Sequence, residues 1–132
     1  MGYLFFVWRI SRELWTLLRF SLVGGGATFL HLAVASWLVV VWGALPIQAN
    51  AGGFMVAFLF SFLGQHFWAF RSQRRVASSL PRFLMVAGLA FLASNLVLLA
   101  LLALAIPPLL ATLIAACVIP LVSFILFRWW VF

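Results

Sequence analysis

Two long stretches of the chain contain no Asp, Glu, Lys or Arg: Phe20 to Phe70 and Phe83 to Phe127. As straight helix, at about 1.5 Å per residue, the first would run roughly 75 Å against a hydrocarbon core of about 30 Å. Each stretch must therefore cross a bilayer, turn and cross again. The turns are marked by Gly43 and Pro46 in WGALPIQAN, where Gln48 and Asn50 add polarity, and by Pro107 and Pro108 in AIPPLL. The pattern predicts an all-α polytopic membrane protein with four transmembrane helices, near residues 19–42, 48–69, 83–105 and 109–130. Residues 1–18 read as an interfacial N-terminal segment ahead of a 19–132 transmembrane domain. In it Arg9, Arg12 and Glu13 would face headgroups while Phe5, Phe6, Trp8 and Trp15 enter the acyl boundary. Its apolar residues precede its arginines, the reverse of a secretory signal peptide.

Composition leaves lipid as the only workable solvent. Of 132 residues, 68% are hydrophobic and 7% charged, against roughly 45–50% and about 25% in soluble domains. The single cysteine, Cys117, rules out an intramolecular disulfide and reads as a small packing residue.

Charge then gives an orientation. The basic residues are all arginine (Arg9, Arg12, Arg19, Arg71, Arg74, Arg75, Arg82 and Arg128), Glu13 is the only acid, and the net charge is +7. After an even number of crossings, every arginine falls on one side and the two opposite turns carry none. The positive-inside rule puts both termini and the loop Arg71–Arg82 in the cytoplasm. Arginines that flank apolar spans point to anionic membrane lipids as their counterions, and not to nucleic acid.

The two apolar stretches also echo each other. Arg19-Phe20-x-x-Val23-x-Gly25 recurs as Arg82-Phe83-x-x-Val86-x-Gly88, and His31-Leu32 recurs one residue later as Asn95-Leu96. Pro46 matches Pro108, Ser61-Phe62 matches Ser123-Phe124, Trp68 matches Trp130 and Phe70 matches Phe132. The unit is a helical hairpin, and both copies start on the same side, which makes a parallel repeat. Repeat one covers 19–70, the cytoplasmic loop 71–82 and repeat two 82–132. Trp129 and Trp130 beside Arg128 suit an interfacial anchor for the last helix.

RFSLVGGGATFLHL, SFLGQHFWAF, the basic loop, RFLMVAGLAFLASNL and SFILFRWWVF together resemble the GtrA-like family of small four-span membrane proteins. The resemblance runs from Arg19 to Phe132. It implies translocation of a polyprenyl-phosphate-linked sugar, such as undecaprenyl-phosphate glucose, across the bacterial inner membrane for cell-surface polysaccharide synthesis or modification. Where that family's exit helices carry an asparagine and basic residues, this chain has Gln65, His66 and Phe67, then Phe127 and Arg128.

The residues themselves offer binding rather than catalysis. One acid, two histidines and one cysteine form no carboxylate pair, metal set or triad, so neither an enzyme nor a cofactor is expected. The Gly24–Gly26 run lacks the lysine of a phosphate loop and suits close helix packing. A lipid phosphodiester matches the planar fork of arginine. Candidates for the lipid phosphate or headgroup are Arg19, Arg71, Arg74, Arg75, Arg82 and Arg128, with Gln65 and His66 adding hydrogen bonds. The alternative is that these arginines only set topology.

His31 lies about 18 Å along the helix from Arg19, near mid-bilayer. With Asn95, Ser94 and Asn50 it suggests a polar translocation seam, or else hydrogen bonds that merely hold helices together. Expected partners are the polyprenyl-phosphate sugar lipid, anionic lipids, a further copy of the chain as a homo-oligomer and a membrane glycosyltransferase. A small multidrug-type exporter and a glycosyltransferase scaffold are the competing functions. The exporter would need a carboxylate inside the first span, whereas Glu13 precedes Arg19.

Overall fold

The computed structural model describes all residues from Met1 to Phe132 and contains helices but no strands. Helix α1 spans Gly2–Trp42 and α2 Pro46–Gly64, continued by a π-helical turn over Gln65–Ala69. Helix α3 spans Val76–Ala103 and α4 Pro108–Leu126, continued by a second π turn over Phe127–Val131. Four helices are long and apolar enough to cross a membrane. The chain divides into two compact units, Met1–Ser72 and Gln73–Phe132. Each is one hairpin: α1 packs on α2, and α3 on α4.

Two boundaries differ from the sequence reading. Residues 1–18 are helical and run without a break into the first span, so that α1 at 41 residues is about 60 Å long. No glycine or proline interrupts Tyr3–Val23, and the Arg12 guanidinium lies 4.7 Å from the Trp8 ring one turn back, so the helix has local support and no breaker. Helix α3 starts at Val76 instead of near residue 83, which shortens the loop. The Arg75 carbonyl accepts the Ser78 and Ser79 amides at 3.0 and 3.1 Å and the Ser78 hydroxyl at 2.8 Å. Pro81 consequently lies within the helix as its sixth residue, where it has no N–H to offer the Ala77 carbonyl.

Inside and outside are reversed relative to a soluble bundle. In the first hairpin the buried positions along the spans include Phe20, Val23, Ala27, Ala49, Gly53 and Ala57; in the second they include Phe83, Val86, Ala90, Ala111 and Ala115. Large residues face outward, Val40 at 81% and Leu99 at 63% exposure. Lipid solvates leucine as well as a protein interior does, so helix pairs in a bilayer gain most from close backbone approach over small residues. Cys117, read from sequence as a packing residue, is exposed.

The glycine run is not where the helices meet most closely. A Cβ on Gly24 or Gly25 would meet nothing within 4 Å, and one on Gly26 would meet only the Phe60 ring at 3.0 Å. The tight contact is Gly53, whose Cβ would lie 2.6 Å from the His31 carbonyl oxygen.

Both hairpins turn through the same backbone device. Gly43 ends α1 with φ 63°, and its amide and that of Ala44 bond the Val39 and Leu38 carbonyls at 3.1 and 3.0 Å. Ala105 holds the corresponding place after α3 with φ 59°. Left-handed geometry costs a residue with a Cβ about 1–2 kcal/mol, and glycine avoids that penalty. Ala105→Gly is expected to stabilise the second hairpin by roughly 0.5–1 kcal/mol, read as a raised unfolding midpoint in detergent.

Candidate functional site

The duplicated register gives each hairpin the same frame around the ends of its two helices. An arginine and a phenylalanine on the first helix, Arg19-Phe20 or Arg82-Phe83, meet the π turn that closes the second. In that turn Phe70 N–H bonds the Gln65 carbonyl at 2.9 Å, and Phe132 N–H bonds the Phe127 carbonyl at 3.0 Å. A π turn inserts one residue per bonded ring and so rotates the side chains beyond it relative to a regular helix. In both hairpins an arginine lies over a tryptophan from the turn: Arg19 at 5.8 Å from Trp68, and Arg82 at 5.9 Å from Trp130. Arg128 lies 5.9 Å from the Trp129 ring. The sequence matches Arg19 to Arg82 and Trp68 to Trp130 across the repeat, but it reveals neither the arginine–tryptophan contacts nor the π turns, for which no local composition signal exists.

Within that shared frame the chemistry differs. The second hairpin is closed by aromatic rings: Phe83 stacks on Phe127 at 4.7 Å and 11°, and Phe132 meets Phe127 edge-on at 5.6 Å. The first hairpin places Gln65 where the second has Phe127. Gln65 is 1% exposed, and its Nε2 donates to the Phe20 carbonyl at 3.3 Å. Its Oε1 is buried and accepts no hydrogen bond. An unmet buried acceptor costs about 1–3 kcal/mol, so this atom marks a place where a donor belongs. His66 is likewise buried, its ring edge-on to Phe67 at 4.6 Å.

The arginines fall into distinct environments. Arg71, Arg74 and Arg75 are exposed on the connection between hairpins, and Arg71 has a positive φ of 47°. Arg19, Arg82 and Arg128 are half-buried. Arg82 Nη1 also donates to the Trp130 carbonyl at 3.3 Å, and Ser79 Oγ to the Val131 carbonyl at 3.4 Å. Those carbonyls belong to the last turn, which lacks intrahelical donors, so α3 caps the end of the second hairpin. Ser79, read from sequence as a helix-start residue, is fully buried in this cap.

Deeper in the spans the structure rearranges the expected seam. His31 Nε2 pairs with Asn50 Oδ1 at 2.9 Å, joining α1 to α2. In the register that sets Phe20 on Phe83, His31 corresponds to Ser94 and not to Asn95. Ser94 is buried and its Oγ donates to the Ala115 carbonyl at 2.7 Å, joining α3 to α4. Asn95 sits one residue further round the helix, and its Nδ2 donates back to Phe91 of the same helix at 2.8 Å. Each hairpin thus has a side-chain bond between its helices deep in its spans, and Asn95 takes part in neither.

Two apolar helical hairpins, each closed by an arginine over a tryptophan, define an all-α four-span membrane protein. The chain matches the GtrA/DPMS transmembrane domain over residues 19–132 and belongs to that family. No curated protein and no solved structure matches it significantly.

Proposed function

We propose that the protein translocates a polyprenyl-phosphate-linked sugar, such as undecaprenyl-phosphate glucose, across the bacterial inner membrane, with both termini cytoplasmic. The family is one involved in handling polyprenyl-phosphate sugars. The observation that carries the reading is the polar end of the first hairpin, where half-buried Arg19 stands beside a π turn holding buried Gln65 and His66. An apolar chain keeps such groups at headgroup depth for an anionic, hydroxylated ligand. Exposed Arg71, Arg74 and Arg75 would gather anionic lipid from the same leaflet.

The prenyl tail stays in lipid throughout, and only the sugar-phosphate crosses. The protein does no bond chemistry in this reading. Its single carboxylate, Glu13, lies before the charge-free spans, so movement is down a gradient or coupled to a partner enzyme. Reconstitution tests this directly. Vesicles containing the purified chain are expected to expose a labelled polyprenyl-phosphate sugar on the opposite leaflet much faster than protein-free vesicles. Equal rates in the two preparations would reject the function.

A further inference from the structure

We propose that the two hairpins have divided the work of their common ancestor: Arg19 and Gln65 in the first bind the headgroup, and Arg82 in the second is a structural cap. This rests on the functional reading above and assigns its binding site to one half of the repeat.

The repeat supplies an internal control, because the same two positions occur twice in one chain. Arg19 and Arg82 lie over their tryptophans at nearly equal distances, 5.8 and 5.9 Å. Arg82 also donates to the Trp130 carbonyl, next to the Ser79 bond that caps Val131. Arg19 makes its ring contact without any hydrogen bond inside the chain, so its whole planar fork is available to an anion. At the other position, Phe127 stacks on Phe83, whereas Gln65 presents a buried amide with an unmet acceptor.

Gln65 donates to the backbone of Phe20, the residue after Arg19, and lies three residues before Trp68. Fork and acceptor therefore occupy the same end of the same hairpin. A phosphate oxygen is the natural ligand of the fork. The orphan acceptor requires an N–H or O–H donor, which a bare phosphodiester lacks and a sugar hydroxyl supplies. A trapped water would satisfy the atom as well, so the test must separate the two sources.

Binding of a polyprenyl monophosphate and of its monosaccharide-linked phosphodiester is measured on the full chain in lipid nanodiscs, with the unfolding midpoint of each variant. Arg19→Gln is expected to weaken both lipids about tenfold or more with the midpoint held. Arg19→Lys keeps the charge over Trp68 but not the fork, and is expected to lose several-fold in affinity. Arg82→Gln is expected to lower the midpoint while both affinities stay within about twofold. Gln65→Phe, which copies the second hairpin, is expected to weaken only the sugar-linked lipid, about fivefold or more.

Loss of binding in Arg82→Gln equal to that in Arg19→Gln would overturn the division while leaving the functional reading intact. Unchanged sugar preference in Gln65→Phe would show that water alone meets the acceptor, and would overturn the assignment of Gln65. If the wild-type chain bound neither lipid, the functional reading would fail and this proposal with it.

Discussion

Gly53→Val is expected to take apart the first hairpin, lowering its stability by about 3 kcal/mol, roughly a hundredfold in the unfolding equilibrium. The contact is with backbone, which has no rotamer to change. A Cβ at Gly53 would lie 2.6 Å from the His31 carbonyl oxygen, 3.1 Å from Ala35 Cβ and 3.3 Å from the Ala35 amide nitrogen. To admit it, α1 and α2 must separate along their length. Asn50 lies one turn before Gly53, so the separation also breaks its 2.9 Å bond to His31. In a bilayer no water-driven force restores the contact, since lipid fills the gap equally well. The measurement is the folded fraction against SDS mole fraction in mixed micelles. Gly24→Ala and Gly25→Ala are the controls. Both positions are open, and alanine is the better helix former, so each is expected to be neutral or stabilising by up to about 1 kcal/mol. Equal destabilisation at Gly25 and Gly53 would refute this account of the packing.

That contrast also shows what the sequence discloses and what it hides. The span count, the two turns and the repeat were legible, because hydrocarbon thickness limits helix length and charge is excluded from the core. The face on which small residues pack was not. Gly24–Gly26 stand out to the eye, yet the helices meet closest at Gly53, because which side of a helix meets its partner depends on both helices at once. Which of Ser94 and Asn95 bonds the neighbouring helix is hidden in the sequence for a related reason. Polarity matches His31 to Asn95, one residue out of register, whereas the buried stripe Phe83, Val86, Ala90 continues to Ser94. Adjacent residues on a helix point about 100° apart, so a slip of one exchanges a bond between helices for one within a helix. Gln65 and Phe127 were both seen at the exit position, but nothing in the sequence tells that one would be left with an unmet acceptor. The continuity of residues 1–18 with the first span is hard to read because interfacial and spanning helices share composition, and only the absence of a breaker between Tyr3 and Val23 favours it.

Phe83→Ala is expected to destabilise the second hairpin by about 2–4 kcal/mol, within the range for a buried phenylalanine and reduced from its top because lipid can enter part of the space. Phe83 is 5% exposed; it stacks on Phe127 at 4.7 Å and meets Phe132 at 6.3 Å. Its removal leaves both partners without the ring that aligns them. The π turn they belong to carries the carbonyls that Arg82 and Ser79 cap, so the cap loosens as well. Phe20→Ala at the matching place is expected to cost less. Phe20 meets Phe70 edge-on at 6.1 Å, and the Gln65 amide is tied to the Phe20 backbone, which truncation of the side chain leaves in place. The pair can be compared in one SDS titration series, with tryptophan fluorescence following each hairpin through Trp68 or Trp130 alone. A larger loss for Phe20→Ala would mean that the first hairpin is held by its ring after all. The polar turn at Gln65 would then be a consequence of packing and not a feature kept for a ligand.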